Sequence, residues 1–175
     1  MQLLTEVVPQ ASRVIALWDP TRPATGAILR EVERTTQSLG LPLRLLEARD
    51  PHELDQAFAA MVREGTAMVV VLPSTLAHLA RRQMVEFMAE RRLPAIYFDR
   101  AFADAGGLMS YGPNWLALFH RVAAYVDRIL KGTKPADLPV EEPMSFELVI
   151  NLKAAEALGI TIPSLLLFQA TEVIR

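Results

Sequence analysis

The sequence predicts an α/β fold: a doubly wound, mainly parallel sheet with helices on both faces. Three observations carry this expectation. Short apolar runs recur along the chain, and each is followed by a segment of helical period. The runs are continuously apolar rather than alternating, so both faces of each strand should be covered. Finally, 175 residues at 51% hydrophobic content supply one ordinary domain, or slightly more, with ample core material. Successive β-α units of this kind imply right-handed crossovers between parallel neighbours.

The elements follow in order. Arg13 to Trp18 reads as a buried strand that ends at the Asp19-Pro20 turn. A helix runs from about Pro23 to Leu39, with Pro23 in its first turn. Ile28, Val32, Thr35 and Leu39 mark one face, and Gly40 supplies a left-handed stop. Leu43 to Ala48 is the second strand. Asp50-Pro51-His52-Glu53 is a helix start: Asp50 caps, Pro51 takes the first position, and Glu53 can return a bond to the cap's own N–H. Leu54, Phe58, Met61 and Val62 recur at helical spacing until Gly65. Ala67 to Leu72 is the third strand, followed by a helix from about Leu76 to Arg91. Pro94 to Phe98 and Gly107 to Tyr111 are the fourth and fifth strands. A long helix spans Pro113 to Lys131 and stops at Gly132. Beyond it the rhythm breaks. Asp137 to Glu142 and Phe146 to Ile150 read as extended, Asn151 caps a short helix ending at Gly159, and Ile162 to Ile174 is a mixed apolar tail.

Composition excludes several classes. Lys plus Arg is 18 against 20 for Asp plus Glu, a net charge of -2, which is no basis for gripping a phosphate backbone, so no nucleic-acid partner is expected. The absence of cysteine removes disulfide scaffolds and thiolate chemistry. His52, His78 and His120 lie in separate segments without ligand spacing and read as surface residues, so no metal is expected. No G-x-G-x-x-G turn, phosphate-binding loop or nucleophile elbow is present; Ser74 sits in Leu72-Pro73-Ser74-Thr75-Leu76, without the small neighbours an elbow needs. The expectation is a protein that is not an enzyme and carries no cofactor. The segment Met1-Gln2-Leu3-Leu4-Thr5-Glu6 shows no positive region leading into an apolar stretch, so no export signal is visible in it.

In open parallel sheets, ligands bind beyond the carboxyl ends of the strands. The loops there carry the candidate ligand-binding residues Trp18, Asp19, Thr21, Ser74, Thr75, Phe98, Asp99, Tyr111 and Asn114. Aromatic faces supply contact area, and indole N–H or phenol O–H supplies direction. Asp19 and Asp99 suit an amine or hydroxyl; Ser74 and Thr75 suit a carboxylate. Each also has a purely structural reading. Trp18 and Phe98 fit a core, Asp19 and Asp99 fit turn caps, and Ser74 fits a helix cap.

The third quarter of the chain carries a family likeness. Gly106-Gly107-Leu108-Met109-Ser110-Tyr111-Gly112-Pro113 leads to Ala124-Tyr125-Val126-Asp127-Arg128-Ile129-Leu130-Lys131-Gly132. Then come Lys134-Pro135-Ala136-Asp137-Leu138-Pro139-Val140-Glu141 and Phe146-Glu147-Leu148-Val149-Ile150-Asn151-Leu152-Lys153. With the Trp18-Asp19-Pro20 turn and Arg92-Leu93-Pro94-Ala95-Ile96-Tyr97, these stretches resemble the substrate-binding proteins of ABC transporters that have a type I periplasmic-binding fold. The family usually has two prolines where Ile162-Pro163-Ser164 has one, and an acidic residue where Thr171 stands.

The resemblance implies a two-lobed receptor that holds a small solute between its lobes and presents it to a membrane permease outside the cytoplasm, in the periplasm or its equivalent. Members whose ligands are known bind amino acids, aromatic ones included. Placed on that plan, residues 1–112 are the second, Rossmann-like lobe. Residues 113–132 are a helix that would pack on a first lobe not seen in this sequence, and 133–175 are a returning segment. The expected function is the solute-binding component of an importer, or one lobe of it. The alternative is a lobe that acts as a self-associating interaction module; an effector-sensing regulator domain shares the fold but lacks a DNA-binding segment here. Two apolar stripes on the long helix, one through Leu116, Phe119, Ala123, Val126 and Leu130 and one through Trp115, Leu118, Val122, Tyr125 and Ile129, want cover on two sides. The expectation is therefore a homodimer through Trp115, Phe119, Val122 and Tyr125, unless the tail from Leu165 to Phe168 folds back over that helix.

Overall fold

The computed structural model describes residues 2–22, 24–63, 67–143 and 145–175. Pro23 and Gly65, expected to open one helix and close another, lie outside the described residues. Helices are α1 (Gln2–Val7), α2 (Thr25–Ser38), α3 (Pro51–Arg63), α4 (Thr75–Leu79), α5 (Arg81–Glu90), α6 (Arg100–Asp104), α7 (Trp115–Leu130), α8 (Leu152–Leu158) and α9 (Ser164–Gln169). Strands are β1 (Val14–Trp18), β2 (Leu43–Glu47), β3 (Met68–Val71), β4 (Ala95–Tyr97), β5 (Met109–Pro113), β6 (Phe146–Asn151) and β7 (Glu172–Ile174). They form one seven-stranded sheet in the order β2-β1-β3-β4-β5-β6-β7. All pairs are parallel except β5 with β6.

The continuous apolarity of β1 and β3 has the predicted consequence. Ile15, Leu17, Val69 and Val71 face one core with Leu54, Phe58 and Met61 of α3 and Met84 and Met88 of α5. Val14, Ala16, Met68 and Val70 face a second core with Leu4 of α1, Leu29 and Val32 of α2, Ile150 of β6 and Leu166 of α9. Successive side chains point to opposite faces, so only a strand apolar at every position can serve both layers.

Local chemistry sets the boundaries. Asp50 Oδ1 accepts the Glu53 N–H at 2.8 Å, as expected of the cap, but the Glu53 carboxylate reaches back to the N–H of Arg49, at 2.9 Å, rather than to that of Asp50. Asn151 Oδ1 accepts the Ala154 N–H at 3.1 Å to start α8, and Gly159 ends it at φ 69°, the left-handed region that glycine enters without strain. Tail residue Thr171 takes part in the sheet: its Oγ1 accepts the Leu148 N–H at 3.2 Å, beside the parallel β6–β7 pairing.

Several expectations are corrected. On α2 the buried face is Thr25, Leu29, Val32 and Thr36, while Ile28 and Leu39 are exposed. The predicted face was rotated because Ile28 points toward a groove rather than the core. Val62 is likewise exposed on α3. The helix expected from Leu76 to Arg91 breaks at Ala80, whose ψ of 14° leaves the helical range. Pro113 ends β5 instead of opening the long helix; α7 starts where Asn114 Oδ1 accepts the Ala117 N–H at 2.7 Å. The stretch from Asp137 to Glu142 forms no strand; a single 3-10 turn, Pro135–Asp137, precedes it.

The excursion from Asn114 to Ser145 stands apart from both cores. No residue of α7 is buried. The chain beyond it lies along α7: the Tyr125 hydroxyl donates to the Pro139 carbonyl at 2.7 Å, and Arg121 pairs with Glu141. Arg121 and the Tyr125 hydroxyl hold the Glu141 carboxyl below its ordinary range.

Candidate functional site

The strand order reverses between β1 and β3, because β2 lies on the far side of β1. Loops that leave the carboxyl ends of strands around such a reversal diverge and open a crevice. Here the crevice is a groove of about 670 Å³ above β3, β4 and β5. That is within the range of small-molecule sites, roughly 300–1,000 Å³.

The groove is mainly apolar and aromatic. Phe98, Tyr111, Trp115 and Phe146 line it, with Ile28 and Val32 from α2. Tyr111 stacks on Phe146, centroids 5.6 Å apart and planes 14° apart. The antiparallel register makes them diagonal neighbours, since Tyr111 lies opposite Leu148 and Phe146 opposite Pro113. Phe98 meets His78 edge-on at 5.0 Å and Phe102 at 5.3 Å. The Arg22 guanidinium and the His78 imidazole also line the groove. His78 Nε2 stands 3.9 Å from Asp99 Oδ2.

The predicted residues divide into two sets. Phe98 and Tyr111 come together in the groove. The others mainly shape the loops around it. Asp19 is buried, and its Oδ1 accepts both the N–H of Thr21 (2.9 Å) and its hydroxyl (2.6 Å), closing the turn after β1. Ser74, also buried, accepts the Ala77 N–H at 2.9 Å and caps α4, while Thr75 is exposed. Asp99 Oδ1 accepts the Ala101 N–H at 2.8 Å and caps α6. Asn114 caps α7, and its amide also donates to Glu147. Trp18 lines a small cavity with Ser74, and its buried indole N–H has no hydrogen-bond partner among the described residues. Replacing Ser74 with Ala is expected to cost about 1 kcal/mol, the usual worth of such a cap, read from the urea midpoint of unfolding.

Sequence reasoning missed Arg22, Ile28, His78, Trp115 and Phe146. Ile28 has the spacing of the face that Val32 marks, which points to packing rather than to a ligand. Phe146 reaches the groove only through the β5–β6 pairing, which brings together residues 35 apart in the chain. His78 could have been found, because it lies one turn into the helix that follows β3.

Among the described residues, no group of three or more His, Asp or Glu side chains could hold a metal ion, and no helix is long and apolar enough to cross a membrane.

Comparison with known proteins places the chain. The family model for "ABC transporter substrate binding protein" matches residues 1–174. The chain belongs to this family of ABC transporter substrate-binding proteins. Its members are substrate-binding proteins. No curated protein matches the chain. Among solved structures, the fold is similar to a conserved domain protein from Vibrio cholerae O1 biovar El Tor (TM-score 0.89, 24% identity, 98% of this chain and 58% of that one). It is similar also to an ABC domain from Streptococcus pneumoniae solved in complex with L-Trp (TM-score 0.90, 24% identity, 99% of this chain and 58% of that one). CD0873 from Clostridium difficile, described as a substrate binding protein with adhesive properties, follows at TM-score 0.72 and 17% identity, again with 99% and 58% covered. The chain of this substrate-binding family member thus spans under two thirds of the length of each of these structures.

Proposed function

We propose that this chain supplies one lobe, with its carboxyl-terminal crossings, of the solute-binding component of an ABC-type importer. The groove at the strand carboxyl ends holds part of a small, amino-acid-like ligand. The observation that carries this reading is the aromatic lining of Phe98, Tyr111, Trp115 and Phe146 at that position, in a chain of the substrate-binding family. Flat aromatic walls suit a ligand with a planar ring, and Arg22 suits its carboxylate. The L-Trp complex of the similar pneumococcal domain agrees with this ligand class. Trp18, Asp19, Thr21, Ser74, Thr75, Asp99 and Asn114 frame the groove from its loops. A permease is the partner, and the setting is extracytoplasmic.

In this proposal, residues 1–112 form the lobe, 113–132 form a helix that packs on a further lobe, and 133–175 return to the sheet. The wholly unburied α7 and the longer chains of the similar structures support that division. A single lobe offers half the contacts and leaves the ligand open to water, so affinity is low. Calorimetric titration with L-Trp, L-Tyr and L-Phe is expected to give dissociation constants of roughly millimolar order, about -4 kcal/mol, further weakened in Tyr111→Ala. Sub-micromolar binding by this chain would defeat the one-lobe reading, and an affinity unchanged in Tyr111→Ala would defeat the groove.

The exposed apolar face of α7 favours a second reading, in which the lobe associates with a copy of itself through Trp115, Phe119, Val122 and Tyr125.

A further inference from the structure

Acidic and basic groups are unequally shared around the solute groove. Among the described residues that line it there is no aspartate or glutamate, while Arg22 brings a guanidinium. The Arg22 side chain forms no ion pair among the described residues, so it is available to a ligand.

The carboxylates that the sequence offers for an amine are engaged elsewhere. Asp19 and Asp99 stand at strand ends but are only 7% and 8% exposed, and neither lines the groove. Asp19 Oδ1 takes both bonds from Thr21. Asp99 Oδ1 caps α6, and its Oδ2 lies 3.9 Å from Nε2 of His78. Glu147 follows Phe146 in β6, where successive side chains leave on opposite faces, and it accepts from the Asn114 amide.

An amino acid that lays its ring on the aromatic wall of Tyr111 and Phe146 therefore meets a partner for its carboxylate and none for its ammonium. Ring faces attract cations, but a face covered by the ligand's own ring is closed to its ammonium. Arg22 opposes that ammonium: in water, two like charges about 6 Å apart weaken binding by a factor of about three.

We propose, on the reading of this groove as the solute site, that the lobe recognises aromatic carboxylates and does not read the amine. Arylalkanoates without an ammonium then bind it more tightly than the matching amino acid. Arg22 is the residue that selects the charge, and the aromatic wall selects the ring.

The test uses three indole compounds that differ in charge: 3-indolepropionate, L-Trp and tryptamine. Each is titrated at neutral pH into the isotope-labelled chain, and dissociation constants are taken from saturating amide shifts at Tyr111, Trp115 and Phe146. 3-Indolepropionate is expected to bind about threefold more tightly than L-Trp, and about tenfold more tightly than tryptamine, which loses the attraction and keeps the repulsion. Salt at about 1 M should narrow this spread, because the screening length falls to about 3 Å. Arg22→Gln, at an exposed position, should bring the three affinities together with an unchanged circular dichroism spectrum, and Arg22→Lys should keep their order. L-Trp binding as tightly as 3-indolepropionate, tryptamine binding as tightly as either, or an order that survives Arg22→Gln would each overturn the proposal and leave the groove as the solute site. Saturation by none of the three would overturn both.

Discussion

Replacing Gly112 with valine is expected to be the most damaging single change in the lobe, costing more than about 3 kcal/mol of stability. Gly112 lies in β5, where that strand passes the loop after β4, and a Cβ built there would fall 2.0 Å from the Phe98 carbonyl oxygen. The obstacle is backbone, so no rotamer relieves it. Either β5 or the Phe98–Asp99 turn must move, and that turn holds the cap of α6 and one wall of the groove. Urea unfolding should show a lower midpoint, or no cooperative transition. A variant with the wild-type midpoint would show that the two segments are not held together as tightly as the structure has them.

Concentration dependence of the molecular mass is the second expected result. Leu116 and Phe119 are 69% and 66% exposed, with Trp115, Val122 and Val126 beside them on the same helix. Burying a side chain of this kind is worth roughly 1.5–3 kcal/mol, and contiguous exposed apolar surface is normally covered by a partner. Light scattering across a dilution series should give a dimer mass at high micromolar concentration that falls toward the monomer on dilution. Leu116→Glu with Phe119→Glu should give a monomer at every concentration without changing the thermal midpoint, because neither residue packs on a core. A wild-type monomer at high micromolar concentration sinks self-association. The same face would then be accounted for by the further lobe of the importer reading.

What could be read from the sequence was what depends on near neighbours. Runs such as Ala67 to Leu72 are apolar at every position, and that alone dictates two covered faces. Asp50, Ser74 and Asn151 stand directly before helices, where a short side chain can cap. The apolar stripes of α7 were visible, and so was their lack of an obvious partner. The misreadings have one cause: they depend on what lies across space. Ile28 has the right spacing for the core but sits one position away from the residues that α2 actually buries. Phe146 enters the groove through a pairing that no local pattern announces. Short helices such as α1 and α6 hold few residues for a period to show. Phe98 and Tyr111 could be found because the ends of strands can be found. Arg22 and Trp115 could not, because the path of the chain beyond the strand decides where they point.

The excursion between β5 and β6 has a topological consequence. Its two roots are neighbouring strands: Pro113 lies opposite Phe146, and the Asn114 N–H donates to the Ser145 carbonyl at 3.0 Å. The path between them therefore begins and ends at one point on the edge of the lobe, like the handle of a cup. Its length and shape place no demand on the order or register of the strands beneath. The strands keep their order whatever the handle does, so beyond Trp115, which lines the groove, its sequence is free to change without rebuilding the sheet.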